Sequence, residues 1–417
     1  MPAKILAWVL LAALFPAMAG PASAGRLEQR HFAQRAYDGS QDRRYQVYVP
    51  DSYTGRTPVP MVMVLHGCHQ TEANMVDETR FRDLAERDGF VVVYPFVTAW
   101  DRAREFRSEN CWGFWFPRHI RQGTGEVEDL RQIAGEVEAA FRIDPNRRYA
   151  AGLSSGGAMA VALGVAYSEY FAAIGAVAGV AYAETALAVN PPVLNRCSAP
   201  HSFRSSAAVA AAMRAEQRRP EEQRTVPVMA IHSRNDCTVS VRGSEGIRDS
   251  WLTRYGADPG GAAVGSCTAE GVACEHRRYG PPGRRPVVET VFYEGRRGGI
   301  FGEGSHYWVG DNAGEYANPT GPSASELLWA FFRAHPFAAA GPGETASGGG
   351  IETAVADWRT HVSRNRLRVY LAPCPSVGFG ACDAGFGELL LAHSDRPFAL
   401  HRRPPSNDWF VDPENAR

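Results

Sequence analysis

The chain has 417 residues, 45% of them hydrophobic and 21% charged, and its formal net charge is −1. A chain of that length builds one large core with room for a smaller appendage. The near-neutral balance offers neither the basic excess that nucleic acid requires nor the polybasic run that an anionic membrane attracts.

Residues 1–24 read as a secretory signal peptide. Lys4 supplies the positive start, Ile5–Leu14 is an apolar core too short to span a bilayer, and Ala22-Ser23-Ala24 is an A-x-A cleavage site. Ala17-Met18-Ala19 competes as a cleavage site, and an uncleaved anchor is the alternative. Cleavage before Gly25 leaves an exported chain of about 390 residues with no further membrane span.

The first strand expected after the leader is Arg43–Pro50, which alternates like a half-buried strand. Met61–Leu65 and Phe90–Pro95 are continuous apolar runs, the habit of strands buried on both faces of a parallel sheet. Phe81–Arg87 has helical spacing between them, and Val127–Phe141 carries Leu130, Ile133, Ala134, Val137 and Phe141 on one helical stripe. A short strand at Arg148–Ala151 leads into a small-residue helix at Ala158–Leu163. Further apolar runs follow at Ala172–Val180, Val226–His232 and Val287–Tyr293, and Ser325–Phe332 reads as a closing helix. Strands alternating with helices predict an α/β fold with a mostly parallel sheet covered on both faces. The Ala- and Arg-rich stretch Ala181–Thr225 is expected to form helical excursions over the carboxyl edge of the sheet, where such folds bind ligands.

Composition changes after the closing helix. Residues 338–350 are Ala, Gly, Pro, Glu, Thr and Ser, ending in three glycines, and read as a flexible linker. The expected organisation is therefore a main domain at 25–337, the linker at 338–350 and a small C-terminal region at 351–417. That last region has its own cysteine pair, and its sequence leaves open a disulfide-stapled module or a packed extension.

Eight cysteines in an exported chain point to disulfides, and the absence of any Cys-x-x-Cys spacing argues against zinc. Cys267 with Cys274 and Cys374 with Cys382 bracket short loops. The remaining four allow three pairings, of which Cys68–Cys111 with Cys197–Cys237 is the expected one.

The chemistry centres on Gly152-Leu153-Ser154-Ser155-Gly156-Gly157, a Gly-x-Ser-x-Gly pattern between a strand and a helix. A serine hydroxyl is a poor nucleophile unless a tight turn exposes it beside a base, and strand–turn–helix is the setting of a nucleophile elbow. In the α/β-hydrolase fold that uses this elbow, an acid and then a histidine follow in chain order. Asp236, in the loop after the Val226–His232 strand, is the candidate acid. His306, in the glycine-flanked loop before the closing helix, is the candidate base. Oxyanion donors are expected from the backbone N–H of Ser155, at the helix start, and of Cys68, in the loop His66-Gly67-Cys68-His69-Gln70. Trp112, Phe114, Trp115 and Phe116 form an aromatic cluster that is either core or the wall of an apolar cleft. His66 and His69 with Asp77 nearby are a weak metal pattern, and no metal or other cofactor is expected.

Leu65–Gln70, Val93-Tyr94-Pro95, Cys111-Trp112 and Ala151–Met159 resemble the extracellular poly(3-hydroxybutyrate) depolymerase family of esterases, which includes related feruloyl and acetylxylan esterases. The resemblance covers roughly 45–182 well and the regions of Asp236 and His306 more loosely. It implies an α/β-hydrolase fold, an acyl-enzyme mechanism without metal, Ser154 as nucleophile, Asp236 and His306 as its partners, and Cys68 as oxyanion donor. Three positions depart from the family pattern: His69 for Thr, Ser155 for Ala, and Tyr307-Trp308-Val309-Gly310 for Ala-Trp-Pro-Gly. These spare the catalytic side chains and alter the cleft walls. The region after the linker does not resemble the family's polymer-binding modules. The expected protein is a secreted serine esterase acting on a hydroxyalkanoate polyester or its oligomers, with Trp112, Trp115 or Trp308 against the substrate. A plant-wall feruloyl or acetylxylan ester is the second substrate class, and a non-catalytic secreted binding protein is the reading from another class.

Overall fold

A computed structural model of the chain describes residues 25–189, 202–257, 260, 262–280, 286–296 and 305–337, with the backbone of five short strand segments between 352 and 410. The leader at 1–24, the linker at 338–350, Cys197 and Cys382 lie outside the described residues.

The chain opens with β1 (Arg26–Phe32), β2 (Arg43–Val49) and β3 (Val59–Leu65), then α1 (Glu72–Glu78), α2 (Phe81–Asp88) and β4 (Val91–Pro95). Next come α3 (Gly125–Ala140), β5 (Ile143–Leu153), α4 (Ser155–Ala166), β6 (Ala173–Val177), α5 (Ala186–Val189), α6 (Ser206–Glu216), β7 (Val228–Ser233) and α7 (Arg242–Tyr255). The edge strands β8 (Ala262–Ser266) and β9 (Cys274–Tyr279) precede β10 (Val288–Tyr293), β11 (Trp308–Val309), β12 (Ala317–Asn318) and α8 (Ala324–Ala334).

Ten strands form one sheet in the order β1-β2-β4-β3-β5-β6-β7-β10-β9-β8. The six from β4 to β10 are parallel, and antiparallel strands flank both edges. The chain runs from β3 to β4 on one side and then returns to place β5 on the other. The crevice at the carboxyl ends of β3 and β5 is therefore a topological switch point, the position at which such sheets bind ligands.

The continuous apolar runs have a direct cause. Met61, Met63 and Leu65 of β3 enter one core with Val91 and Val93 of β4, while Val62 and Val64 enter the opposite core with Val92 and Tyr94. Because successive strand residues face opposite sides, a strand covered on both faces has no polar positions left. One layer is closed by α3, whose Val127, Leu130, Ile133, Ala134 and Val137 are buried. The other is closed by α1, α2 and α8. Helix α8 starts where Ser323 Oγ accepts the Glu326 N–H at 3.2 Å, and its Phe332 stacks on Tyr149 at 4.8 Å while Trp329 stacks on Phe90 at 4.0 Å. Each such side chain, when fully buried, contributes about 1.5–3 kcal/mol. All twelve residues of α4 are buried, so its small side chains let it lie close against the sheet.

After residue 350, β13 (Glu352–Ala356), β16 (Phe398–Arg402) and β17 (Trp409–Phe410) pair into a three-stranded antiparallel sheet, and β14 (Tyr370–Cys374) pairs with β15 (Gly378–Gly380). Among the described residues, no helix is long and apolar enough to cross a membrane.

Candidate active site

Leu65 at the end of β3 pairs with Gly152 near the end of β5, so the loops that leave these two strands are neighbours. The β5–α4 turn is tight. A Cβ on Gly156 would stand 2.4 Å from Leu65 O and 2.5 Å from His66 O, and one on Gly152 would stand 2.4 Å from the Gly156 carbonyl carbon. Backbone cannot yield at those distances. Gly156→Ala is expected to cost about 1–3 kcal/mol of stability, read as a lower denaturation midpoint. Between the glycines Ser154 is held at φ 55°, ψ −118°, with its N–H donated to Val177 O at 2.9 Å. A non-glycine residue persists in that region only where its surroundings impose it, and such strain clusters at functional positions.

Four of the candidate catalytic and oxyanion residues share one cleft of about 1280 Å³: Ser154, His306, Cys68 and Ser155. Asp236 is buried behind it, 6% exposed. Its Oδ2 lies 2.7 Å from His306 Nδ1, and its Oδ1 accepts the N–H groups of Thr238 at 2.8 Å and Val239 at 2.9 Å. Burial by itself would raise the Asp236 carboxyl. The charge of His306 and the hydrogen bonds from His232 and His306 outweigh it and hold the group below its ordinary range. An ionised Asp236 accepts only, so His306 Nδ1 carries the hydrogen and neutral His306 keeps a lone pair on Nε2. Among the described residues no hydrogen bond joins Ser154 Oγ to His306. Such bonds often tighten only once substrate occupies the site.

The candidate oxyanion loop is fixed from three sides. His66 is fully buried, its Nδ1 2.8 Å from Gly67 O and its Nε2 accepting Val97 N–H at 3.2 Å. Burial pushes its imidazole down to about 4, which keeps it neutral, and with both nitrogens engaged it is a loop anchor rather than a metal ligand. Gln70 Oε1 accepts Gly67 N–H at 2.6 Å while Gln70 Nε2 donates to Glu78 at 3.2 Å. Segment 107–113 holds the third side. It carries the Cys68–Cys111 disulfide, the carbonyl of Glu109 that accepts His69 N–H at 2.8 Å, and Trp112, whose indole donates to His66 O at 3.0 Å.

Behind that segment sits a buried ionic cluster. Arg107 and Glu126, both without exposed side-chain surface, pair at 2.6 Å. Arg107 also donates to Cys111 O at 3.1 Å, and Glu126 accepts Gly113 N–H at 2.6 Å. The Cys68 N–H, one candidate oxyanion donor, takes no partner among the described residues. Breaking Cys68–Cys111, which closes 43 residues of chain, is expected to cost about 2–4 kcal/mol. Turnover should slow with it, because the donor is released. Denaturant unfolding and kcat of Cys111→Ser check both.

Two of the three tryptophans expected against the substrate are elsewhere. Trp112 and Trp308 are completely buried and absent from the cleft wall. The Trp112 ring packs 5.2 Å from His66, and the Trp308 indole donates to Asp311 at 2.5 Å within the core under α8. Both are structural because each indole finds its hydrogen-bond partner inside the core. Trp115 does line the cleft, with Phe114 edge-on at 4.7 Å. The same cleft takes Phe106, 96% exposed, and Leu187 of α5, 71% exposed. Cys267–Cys274 is formed as expected. Cys237 is also disulfide-bonded, while Cys197, its expected partner, and Cys382, the expected partner of Cys374, lie outside the described residues. The sequence names Gln70 only within its loop motif and His232 only as a strand end, and gives Glu78, Arg107 and Glu126 no role. His232 did leave a signal of its own, because a polar residue ending an apolar strand must find partners.

A switch-point crevice, a strained serine between β5 and α4, and a later Asp–His pair place the molecule in the α/β-hydrolase class. An acetyl xylan esterase from Aspergillus awamori shares the fold, with a TM-score of 0.51 and 16% identity over 74% of this chain and 99% of that one. The family Esterase PHB depolymerase matches residues 43–273, and the chain belongs to it. Poly(3-hydroxyalkanoate) depolymerase C of Paucimonas lemoignei is 32% identical over 123 residues, 30% of this chain and 28% of that protein. Feruloyl esterase B of Neurospora crassa is 31% identical over 141 residues, 34% of this chain and 45% of that one. The chain thus spans less than half the length of these two relatives.

Proposed function

We propose that the protein is an exported serine esterase that cleaves a hydroxyalkanoate polyester or its oligomers. The observation that carries the reading is the 2.7 Å bond between His306 Nδ1 and Asp236 Oδ2 in the loops that meet the cleft of Ser154. In this mechanism His306 Nε2 removes the Ser154 proton as Oγ attacks the ester carbonyl. The N–H groups of Cys68 and Ser155 hold the resulting oxyanion, His306 protonates the departing alcohol, and water attacks the acyl-enzyme by the same route. Asp236 keeps the imidazole in one tautomer and balances its charge.

The apolar side of the cleft, from Phe106, Phe114, Trp115, Val180, Leu187 and Val189, suits the aliphatic repeat of a polyester. The relative from Paucimonas lemoignei is a poly(3-hydroxyalkanoate) depolymerase, which favours the same substrate class. A second reading, a feruloyl or acetylxylan ester, draws on the polar residues of the same cleft, among them Glu315, Tyr316 and Asn318, which suit a hydroxylated alcohol. The leader pattern at 1–24 and the disulfides of the main domain support export.

A fluorophosphonate probe tests the reading. The expected result is a label on Ser154 of the wild type and none on Ser154→Ala. A folded wild-type protein that takes no label and hydrolyses no ester would overturn it. Relative kcat/KM on hydroxybutyrate oligomers and feruloyl esters then decides between the two substrate classes.

A further inference from the structure

Asp236 is held by two histidines, and the mechanism above uses only one. His232 is the fifth residue of β7 and is completely buried, paired in register with Phe292 of β10. An imidazole in the core of a sheet is costly unless both nitrogens are paired. Its Nε2 lies 2.9 Å from Val239 O and 3.2 Å from Asp236 Oδ2. Both are acceptors, so Nε2 carries the hydrogen. Its Nδ1 lies 2.7 Å from Ser244 Oγ on α7.

We propose that His232 is a positioning residue for the catalytic triad, fixing the orientation of Asp236 and drawing part of its charge away from His306; the proposal rests on the esterase reading above. The carboxylate meets four donors: His306 Nδ1–H and His232 Nε2–H at Oδ2, and the Thr238 and Val239 N–H groups at Oδ1. A carboxylate held by donors at both oxygens has one orientation, the one that presents Oδ2 to His306. Each donor also disperses the negative charge that the carboxylate presents to His306. Among the described residues, the titratable groups that bear on Asp236 are His306, His232 and the buried Tyr293 of β10. Helix α7 adds the Ser244 hydroxyl, which also lies 3.4 Å from the Gly179 carbonyl in the turn after β6.

Two substitutions separate positioning from packing. In His232→Asn the amide takes the place of the ring Nδ1, keeping Ser244 in reach but leaving Asp236 without its donor. In His232→Gln the longer side chain returns an N–H to the place of Nε2. His232→Asn is expected to lower kcat roughly ten-fold with little change in KM. Its acid limb of kcat/KM should move to higher pH by about half a unit, because Asp236 then places more charge on His306. His232→Gln should restore most of both while losing a similar amount of thermal stability. Identical pH profiles and rates for the two variants would overturn the proposal.

Should either variant fail to fold, histidine 15N NMR of the full-length wild type decides. His232, identified by its response to Ser244→Ala, is expected as the Nε2–H tautomer, and a bare Nε2 overturns the proposal. Failure of the esterase reading looks different: wild-type protein that neither hydrolyses esters nor takes up a fluorophosphonate.

Discussion

Ser154→Ala is expected to lower kcat for ester hydrolysis by roughly 10⁴- to 10⁶-fold, the range found when a serine nucleophile acting in a triad is removed. The thermal midpoint should move by no more than about 2 °C. The two halves of this prediction rest on different atoms. In the proposed mechanism turnover needs Oγ, which is tied to no other described side chain. Stability instead depends on the turn, which is held by the Ser154 N–H bond to Val177 O and by the close approach of Gly152 and Gly156 to neighbouring backbone. Alanine keeps that backbone and inherits the same strain at φ 55°. Steady-state kinetics and a thermal melt of the two proteins are sufficient. Residual turnover above a few per cent would place the nucleophile elsewhere.

Glu126→Ala is expected to be the most damaging single change to stability, costing about 3–5 kcal/mol. A buried ion pair need not add net stability over an apolar core, because desolvation offsets the attraction. Removing one partner is a different matter. It leaves Arg107 with Glu105 alone at 2.8 Å and Arg43 with Asp129 alone at 3.0 Å, opens a cavity between the two buried guanidinium groups, and frees Gly113 N–H. The denaturation midpoint, at an unchanged slope, measures the loss.

The same group sets a pH dependence. Burial would raise the Glu126 carboxyl, but the charges of Arg107, His119 and Arg43 bring it from 4.5 down to about 2. A carboxyl depressed in the folded state contributes stability that is fully present above its unfolded value and is lost as pH falls through the folded one. Against burial, Glu105 is lowered in the same direction by His119, Arg118 and Arg107, and Asp236 by His306 and His232. Asp129, the other carboxylate on Arg43, goes the opposite way, because burial outweighs the arginine. Unfolding free energy should therefore fall between about pH 4.5 and 2 in the wild type. The slope should be shallower in Glu126→Ala, and equal slopes in the two proteins would assign the acid limb to other carboxyls.

Much of the architecture was legible because burial leaves a local trace. Strands β3, β4 and β7 are covered on both faces and read as unbroken apolar runs, and α3 shows its buried stripe at 3.6 spacing. Strand β1 was not legible. It lies at the sheet edge, and most of its residues, Arg26, Leu27, Glu28 and Arg30 among them, are exposed or partly so. Helix α7 escaped for a similar reason, since Ile247, Trp251 and Leu252 are its only large buried apolar residues.

By itself the sequence, which left Cys68–Cys111 as one of three pairings, determined the elbow and the chain order of Ser154, Asp236 and His306. Each of these is written in short motifs or in order along the chain, which folding does not change. Only the tertiary structure decided that Trp308 faces the core while His306, two residues earlier, faces the cleft. Only it joined Glu126 to Arg107 across 19 residues, Glu78 to the loop of Tyr316 across 238, and two histidines to the Asp236 carboxylate. Which buried charge meets which partner is settled by where strands and helices come together in space, and local composition carries no record of that.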